Sequence, residues 1–435
     1  MFGLVERLRA ATENHAVLVR NSGAIIIGSG TGAILGVAYW CLAARWLSPE
    51  VIGMASGLLS LMNFVGLLGD AGLGTLLVGE IVKWRGRECG LISAVCLAAF
   101  LLSLSTGAGI LMISEQAFHL LANQSLVNLF LILGAGITGL WLAINQAWLG
   151  MLESNFRMIC QIVFSASKLS FLAIAIMWFS GISVILVGWV VSLVISIIVG
   201  ELLMRRRKYT LLNRPNFKLL FFLRYKVVHH YRLDLGMMAP STLLPYLVTV
   251  LLSPSANAAF TVIWMIFSVA SIVPSTLATV LFPVIQAEPH HYRNRMNVSL
   301  SVSLIFALAF GIFIFFLSSD ILGVFNPAYA VIGGQHLRIL GFGMIGSVIR
   351  SHIVAAARLN NRMREASVSI FLAAVFELMS VGIGAHFGGV EGLAWAWMIA
   401  TLIEAGALLL INPVYGRNCE PRPSHRLSKS VGSSS

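Results

Sequence analysis

Leu47-Ser48-Pro49 separates an apolar stretch at 21–44 from another at 50–79, and 205 residues later Leu252-Ser253-Pro254 separates 234–252 from 257–286. The correspondence continues in order at an offset of 205–207 residues. Ile132-Leu133-Gly134-Ala135-Gly136 matches Ile339-Leu340-Gly341-Phe342-Gly343, and Gly139 matches Gly346. Leu152 to Arg157 falls on Leu359 to Arg364, and Gly181 on Gly388. One such match means little in a sequence drawn from few residue types. Ordered matches at one offset, on the same segment boundaries, indicate a duplicated unit.

The unit is a set of six membrane spans. Hydrophobic residues make up 58% of the 435 and charged residues only 11%, with a mean hydropathy of +0.89. A soluble domain carries roughly 25% charged residues, so this chain cannot cover a water-facing surface. Apolar runs of about 20 residues, enough to cross a hydrocarbon core, lie near 21–44, 50–79, 89–113, 125–150, 160–180 and 183–204. A second set lies near 234–252, 257–286, 297–318, 334–357, 366–386 and 391–411. The expected fold class is an all-α polytopic membrane protein of about twelve transmembrane helices in two six-helix bundles. An even number of helices per half gives parallel repeats related by an axis along the membrane normal, with a substrate path between them.

Charge placement orients the spans. Alternate connectors hold Arg7, Arg9 and Arg20; Lys83, Arg85 and Arg87; Arg157; the basic stretch Arg205 to Arg232; Arg293 and Arg295; Arg358, Arg362 and Arg364; and the tail Arg417 to Lys429. These are 25 of the 29 lysines and arginines, while the opposite connectors hold only Arg45 and Arg338. By the positive-inside rule both termini are cytoplasmic. The divisions expected are a cytoplasmic N-terminus (1–20), an N-lobe (21–204), a basic cytoplasmic linker (205–232), a C-lobe (233–412) and a polar, disordered cytoplasmic tail (413–435). The first apolar segment reads as a retained span, since no cleavage site follows it.

The formal charge of +12 does not point to nucleic acid, because the cations lie in short connectors rather than on one folded face. The linker is expected to serve as a topology signal, with anionic lipid headgroups and membrane lipids as its neighbours. Cys41, Cys89, Cys96, Cys160 and Cys419 show no metal-ligand spacing,. No Walker A loop, zinc motif or nucleophile elbow is present. No catalytic residue, metal or cofactor is expected, and the chain reads as a transport protein rather than an enzyme. Outward connectors are short, which argues against a glycan polymerase or ligase.

Ionisable groups inside spans carry the functional expectation, because a charge at the bilayer centre costs roughly 2.5–3.5 kcal/mol on insertion scales and so faces a cavity or a partner. Lys168, Arg350, Glu377 and Glu404 lie near mid-depth; Asp70 is near one end of the second span, and His352 is beside Arg350. One reading puts Arg350, Lys168 and His352 in a central cavity that attracts an anionic substrate head. The other pairs Arg350 with Glu377 or Glu404 and locks helices together. Glu377, Glu404 and Asp70 are thus coupling or ion-pair groups, with helix capping a further role for Asp70. Gly28, Gly32 and Gly36 form a small-residue stripe suited to close helix packing. Pro240, Pro245 and Pro274 lie inside spans, where kinks either line a cavity or are simply tolerated.

Four stretches resemble the polysaccharide-export branch of the multidrug/oligosaccharidyl-lipid/polysaccharide (MOP) exporter superfamily, which includes the Wzx-type O-antigen flippases. Ala44-Arg45-Trp46-Leu47-Ser48-Pro49-Glu50-Val51-Ile52-Gly53 is similar to that family's first hairpin, and Gly69-Asp70-Ala71-Gly72-Leu73 to the end of its second helix. Leu281-Phe282-Pro283 resembles the end of its eighth helix, and Gly388 to Ala396 the glycine-rich start of its twelfth. The resemblance implies two bundles forming a V around a central cavity. It implies, as cargo, a polyprenyl-pyrophosphate-linked oligosaccharide flipped across the bacterial inner membrane for surface polysaccharide synthesis. A polysaccharide polymerase and chain-length machinery are the partners it suggests. Two rivals stand beside it: a multidrug/cation antiporter of the same superfamily, expected to show cavity carboxylates without central cations, and a major-facilitator transporter. The second lacks its signature here, because Asp70 is followed by Ala71-Gly72-Leu73-Gly74 rather than by paired basic residues.

Overall fold

Ser48 and Ser253 each start a long helix in the same way. Both have extended backbone, both accept a hydrogen bond from the amide three residues on (Val51 N at 3.4 Å, Ala256 N at 3.1 Å), and both are followed by proline. A serine cap satisfies a free first-turn amide, and proline fits the first helical position because its missing N–H has no partner there anyway. The repeated Leu-Ser-Pro is therefore a repeated helix start.

In the computed structural model, which describes residues 2–84, 86–114, 125–211, 213–287, 292–360 and 362–411, these two helices lie at the centre of the molecule. Side chains at 2–22, 82, 113–114, 125–126, 282–284 and 286–287 are outside the description. The N-lobe comprises α1 (Phe2–Trp46), α2 (Pro49–Asp70), α3 (Leu73–Glu80), α4 (Glu88–Ser114), α5 (Ser125–Gly150), α6 (Ser154–Ala175) and α7 (Ile182–Arg206). After a short α8 (Phe217–Phe222), the C-lobe comprises α9 (Arg224–Leu251), α10 (Pro254–Ala270), α11 (Ile272–Ala287), α12 (Tyr292–Phe325), α13 (Pro327–Gly333), α14 (Met344–Leu359) and α15 (Met363–Ile411). No strand occurs among the described residues.

Among the described residues, eleven helices are long and apolar enough to cross a membrane. The last, α15, has 49 residues and folds back at Gly389, whose φ of 58° and ψ of −139° suit only glycine,. Its two arms then pack so closely that a Cβ on Gly392 would stand 2.3 Å from Gly384 O. Counted as two, these arms bring the crossings to twelve. The second crossing of each lobe is itself broken: α2 gives way to α3 through left-handed Ala71 and Gly72, and α10 gives way to α11 at Ser271.

Several boundaries differ from those read off the hydropathy. The connector between lobes is shorter than 205–232, because α7 runs to Arg206 and α9 already begins at Arg224. Charged residues continue a helix past the hydrocarbon core at no cost in water, and hydropathy marks only the apolar part. The 28 residues of α9 span about 42 Å at 1.5 Å per residue. The tail 413–435, Arg85, Cys419 and most of the connector 114–124 fall outside the described residues.

The apolar core shows how the lobes meet. One cluster draws on both, with Tyr39, Leu59 and Leu186 beside Phe260, Tyr329 and Trp397. Towards the end of the bundle that carries the basic connectors, the core splits. One cluster there joins the N-lobe (Leu77, Leu91, Trp148) to the connector helix α8 (Leu219), with Val227 at the start of α9 on its edge; the other belongs to the C-lobe alone (Leu233, Ile353, Ile370). The lobes thus form a V whose apex lies at the end away from the basic connectors. Along one flank α2 stays with α9 through Leu67, Leu235 and Ala239, and α3 with α9 through an ion pair from Lys226 to Glu80 at 2.9 Å. Burial tends to raise the Glu80 carboxyl, but hydrogen bonds from Lys226 and Lys83 outweigh it and hold the group below its ordinary value.

Candidate functional site

Arg157, Gln161 and Lys168 lie on α6 at positions i, i+4 and i+11, which a 3.6-residue period puts on one face,. That face looks into a cavity of about 400 Å³ between the lobes. Opposite it stand Met265, Ser268 and Val269 of α10 and Ile272 of α11. The third wall is a stripe of α1 from Ala24 through Gly28, Gly32 and Gly36 to Trp40. Gly28 and Gly32 let α1 lie against α6, since a Cβ at either would come within 3.1 Å of Met158 or Gln161. Gly36 has nothing within 4 Å and leaves open space instead.

The cavity runs from the basic end, where Arg157 lies in the first turn of α6, to mid-depth at Lys168. The Lys168 ammonium sits over three rings, 4.5 Å from the centroid of Trp189, 5.0 Å from Phe164 and 5.2 Å from Tyr39. The rings brace one another edge-to-face, Tyr39 against Trp189 and Phe164 against Trp189. Aromatic faces attract a cation without neutralising it. Neither Lys168 nor Arg157 has a carboxylate partner among the described residues. The cavity wall therefore carries two uncompensated positive charges.

Beyond Lys168 the path is shut where α2 and α10 cross. Ser255 Oγ donates to Glu50 Oε1 at 2.8 Å, and Thr261 Oγ1 to Ser56 Oγ at 3.0 Å. Each of these bonds joins residues 205 apart, equivalent positions of the repeat, so the pseudo-two-fold axis passes through the seal. Between them Asn257 Nδ2 donates to Gly53 O (2.8 Å) and to Ser56 Oγ (2.9 Å), and Thr249 Oγ1 reaches Gly53 O at 3.3 Å. Ser60 Oγ donates to the Thr242 carbonyl and accepts from Tyr246 N. No ion pair takes part among the described residues; apart from the Ser255–Glu50 bond, whose acceptor is a carboxylate, the seal consists of neutral hydrogen bonds and close packing.

The other intramembrane charges lie apart from this cavity. Arg350 of α14 bridges both arms of α15: its Nη1 is 3.0 Å from Glu377 Oε2 and 3.2 Å from Glu404 Oε1. Trp397 Nε1 donates to Glu377 Oε1 at 2.6 Å. Glu377 is thus held from both sides. Glu404, close enough to Arg350 for an ion pair, has neither oxygen in hydrogen-bonding alignment. All four side chains are buried within the C-lobe. His352 is also internal there, with Nε2 3.0 Å from Ser299 Oγ and Nδ1 2.9 Å from Val348 O. Asp70 receives Gly74 N on both oxygens at 3.2 Å, capping the start of α3, and Asp234 of α9 lies close by.

Of the cations expected to face a cavity, Lys168 does, whereas Arg350 and His352 make their contacts inside the C-lobe. Sequence reading passed over Arg157, which counted as a connector cation, and Gln161. The signal was available: continuing the α6 periodicity back from Lys168 puts both on the same face.

Comparison with known proteins follows this geometry. A family model described as "Polysaccharide biosynthesis protein" matches residues 18–287. No curated protein sequence gives a significant match. Among solved structures, the chain is similar to an inward-facing multidrug resistance MATE family transporter of the MOP superfamily, with a TM-score of 0.68 and 16% identity over 91% of this chain and 100% of that one. An outward-facing structure of such a transporter gives 0.63 and 17%, covering 92% and 96%. A MOP superfamily transporter from Pyrococcus furiosus, reported with a binding pocket of reversed polarity, gives 0.62 and 16%, also covering 92% and 96%. At these identities the likeness establishes the fold.

Proposed function

The chain belongs to the polysaccharide biosynthesis protein family, and on that premise we propose that it flips a polyprenyl-pyrophosphate-linked oligosaccharide across the bacterial inner membrane. The basic end of the bundle and both termini are cytoplasmic in this reading. The observation that carries it is the uncompensated pair Arg157 and Lys168 along one wall of the interlobe cavity. A pyrophosphate cannot enter hydrocarbon unaided, and fixed cations in a wet cavity offset its desolvation. Arg157 meets the head at the cytoplasmic mouth and Lys168 receives it at mid-depth. The lipid tail stays in the bilayer beside the seam of α1 with α11, where contacts are sparse.

Release to the other side requires the α2–α10 seal to part while the cytoplasmic ends close, a rocking of one lobe on the other. The Arg350–Glu377–Glu404 cluster holds one more carboxylate than cation. We assign to it the exchange of one proton or cation with an ion gradient, at a distance from the cargo. Polysaccharide polymerase and chain-length machinery are the partners this role implies.

Deletion followed by lipid extraction tests the function. Lipid-linked oligosaccharide trapped on the cytoplasmic leaflet is the expected result. Unchanged glycans with altered drug tolerance would instead assign the chain to the antiporters.

A further inference from the structure

A second and larger cavity, of about 750 Å³, opens on the outer flank of the N-lobe. Its floor is α5 and its walls are α4 and α7, which both pack on α5 yet make at most marginal contact with each other. The lining is apolar, with Leu97, Phe100, Leu140, Ile198 and Leu202. Leu97, Ile198 and Leu202 are exposed, as residues facing acyl chains would be.

At the basic end the cleft is roofed by the connector between lobes, through Leu211, Asn213 and Pro215. This roof is fastened at both sides. Leu211 N and Thr210 Oγ1 donate to Glu201 at 2.9 and 2.7 Å, and Asn216 N donates to Gly90 O at 2.9 Å. Arg205 lines the mouth; its Nε is on Glu201 Oε1 at 2.8 Å and its side chain is 54% exposed. Arg206, Lys208, Arg214 and Lys218 are exposed around it. Glu201 is the one acid in the lining and is already satisfied by three donors.

A cleft walled by hydrocarbon and rimmed by cations matches an amphiphile with an acyl chain and an anionic head. We propose that it binds one anionic phospholipid, with a chain between α4 and α7 and the phosphate at Arg205. With the basic end cytoplasmic, as proposed above, this is the leaflet in which anionic lipids present their charge to polybasic segments. The lipid-linked substrate is not the occupant, because no helix of this cleft lines the interlobe cavity. The bound lipid would brace the roof, and with it the only covalent link between the lobes.

The test uses the full chain, delipidated in detergent and examined by native mass spectrometry with phosphatidylglycerol, phosphatidylethanolamine or a polyprenyl phosphate. Phosphatidylglycerol is expected to be retained with roughly tenfold preference over phosphatidylethanolamine, the discrimination one or two cations give at a membrane surface. Ile198→Trp fills the cleft and should abolish that retention, whereas Ile305→Trp on the lipid face of α12 should leave it intact. Arg205→Gln should remove the preference while keeping a monodisperse protein. Equal binding of the two phospholipids, retention by Ile198→Trp, or displacement of phosphatidylglycerol by the polyprenyl phosphate overturns the proposal. Because the readout is lipid binding, it stands or falls separately from glycan export.

Discussion

Lys168 and Arg350 are both buried cations in a membrane protein, yet their surroundings assign them opposite roles. Lys168 rests on π faces and keeps its charge available to the cavity; Arg350 is consumed by two carboxylates. Lys168→Met keeps most of the packing and removes the charge. Flipping in sealed vesicles is expected to fall about 10- to 100-fold, the loss of one hydrogen bond to a charged group at ~1.5–3 kcal/mol. Unfolding in detergent should change little, since a cation–π contact is worth only ~0.5–2 kcal/mol. Arg350→Ala should instead cost ~3–5 kcal/mol of stability, because it strands buried carboxylates. Arg350→Met combined with Glu377→Leu and Glu404→Leu should recover most of that, as apolar replacements of buried ion pairs often do. Equal destabilisation by Lys168→Met and Arg350→Ala would erase the distinction.

Among the elements, the seal is the most sensitive to small changes. A Cβ on Gly53 would stand 1.6 Å from Pro254 O, a backbone atom that cannot swing aside. Gly53→Ala is therefore expected to hold α2 and α10 apart. Labelling of Ser255→Cys by an impermeant maleimide, added from the face away from the basic connectors, should rise; unchanged labelling would mean the helices slide rather than separate. Ser48→Ala and Ser253→Ala each remove a cap and should cost ~0.5–2 kcal/mol. The sequence announced these two elements through one tripeptide repeated 205 residues apart, and hydropathy located nearly every crossing. The site was less legible because helix faces, not runs, decide it. Arg157 is four residues into an apolar helix and so counts as a connector by hydropathy, though its register with Lys168 puts it in the cavity. Glu377 and Glu404 are 27 residues apart and meet only because Gly389 turns the chain back between them. Nothing in composition reveals which lobe interior or interlobe space a buried charge faces.

At the scale of the whole molecule, the repeat defines where motion is possible. Ser56 and Thr261 are equivalent residues of the two lobes, bonded to each other across the pseudo-two-fold axis at 3.0 Å. Any rocking that opens the apex of the V must separate this pair, whereas contacts inside one lobe can persist. The side-chain oxygens occupy the positions that cysteine sulfurs would take, so two thiols placed there would face each other across the seal. In a chain with its native cysteines replaced, Ser56→Cys with Thr261→Cys should oxidise readily and stop flipping, and reduction should restore it. An intralobe control is available from Cys160 of α6, whose Sγ would lie 3.4 Å from a Cβ at Gly200 of α7. Gly200→Cys, with Cys160 retained, should oxidise without stopping transport, because α6 and α7 move together. Transport that continues with the Ser56–Thr261 positions fully bridged would require the glycan to leave by another route, along the α1–α11 seam rather than through the apex. In that event the two lobes would act as a fixed scaffold and the cationic face of α6 as a rail beside the bilayer, not as one wall of an alternating cavity.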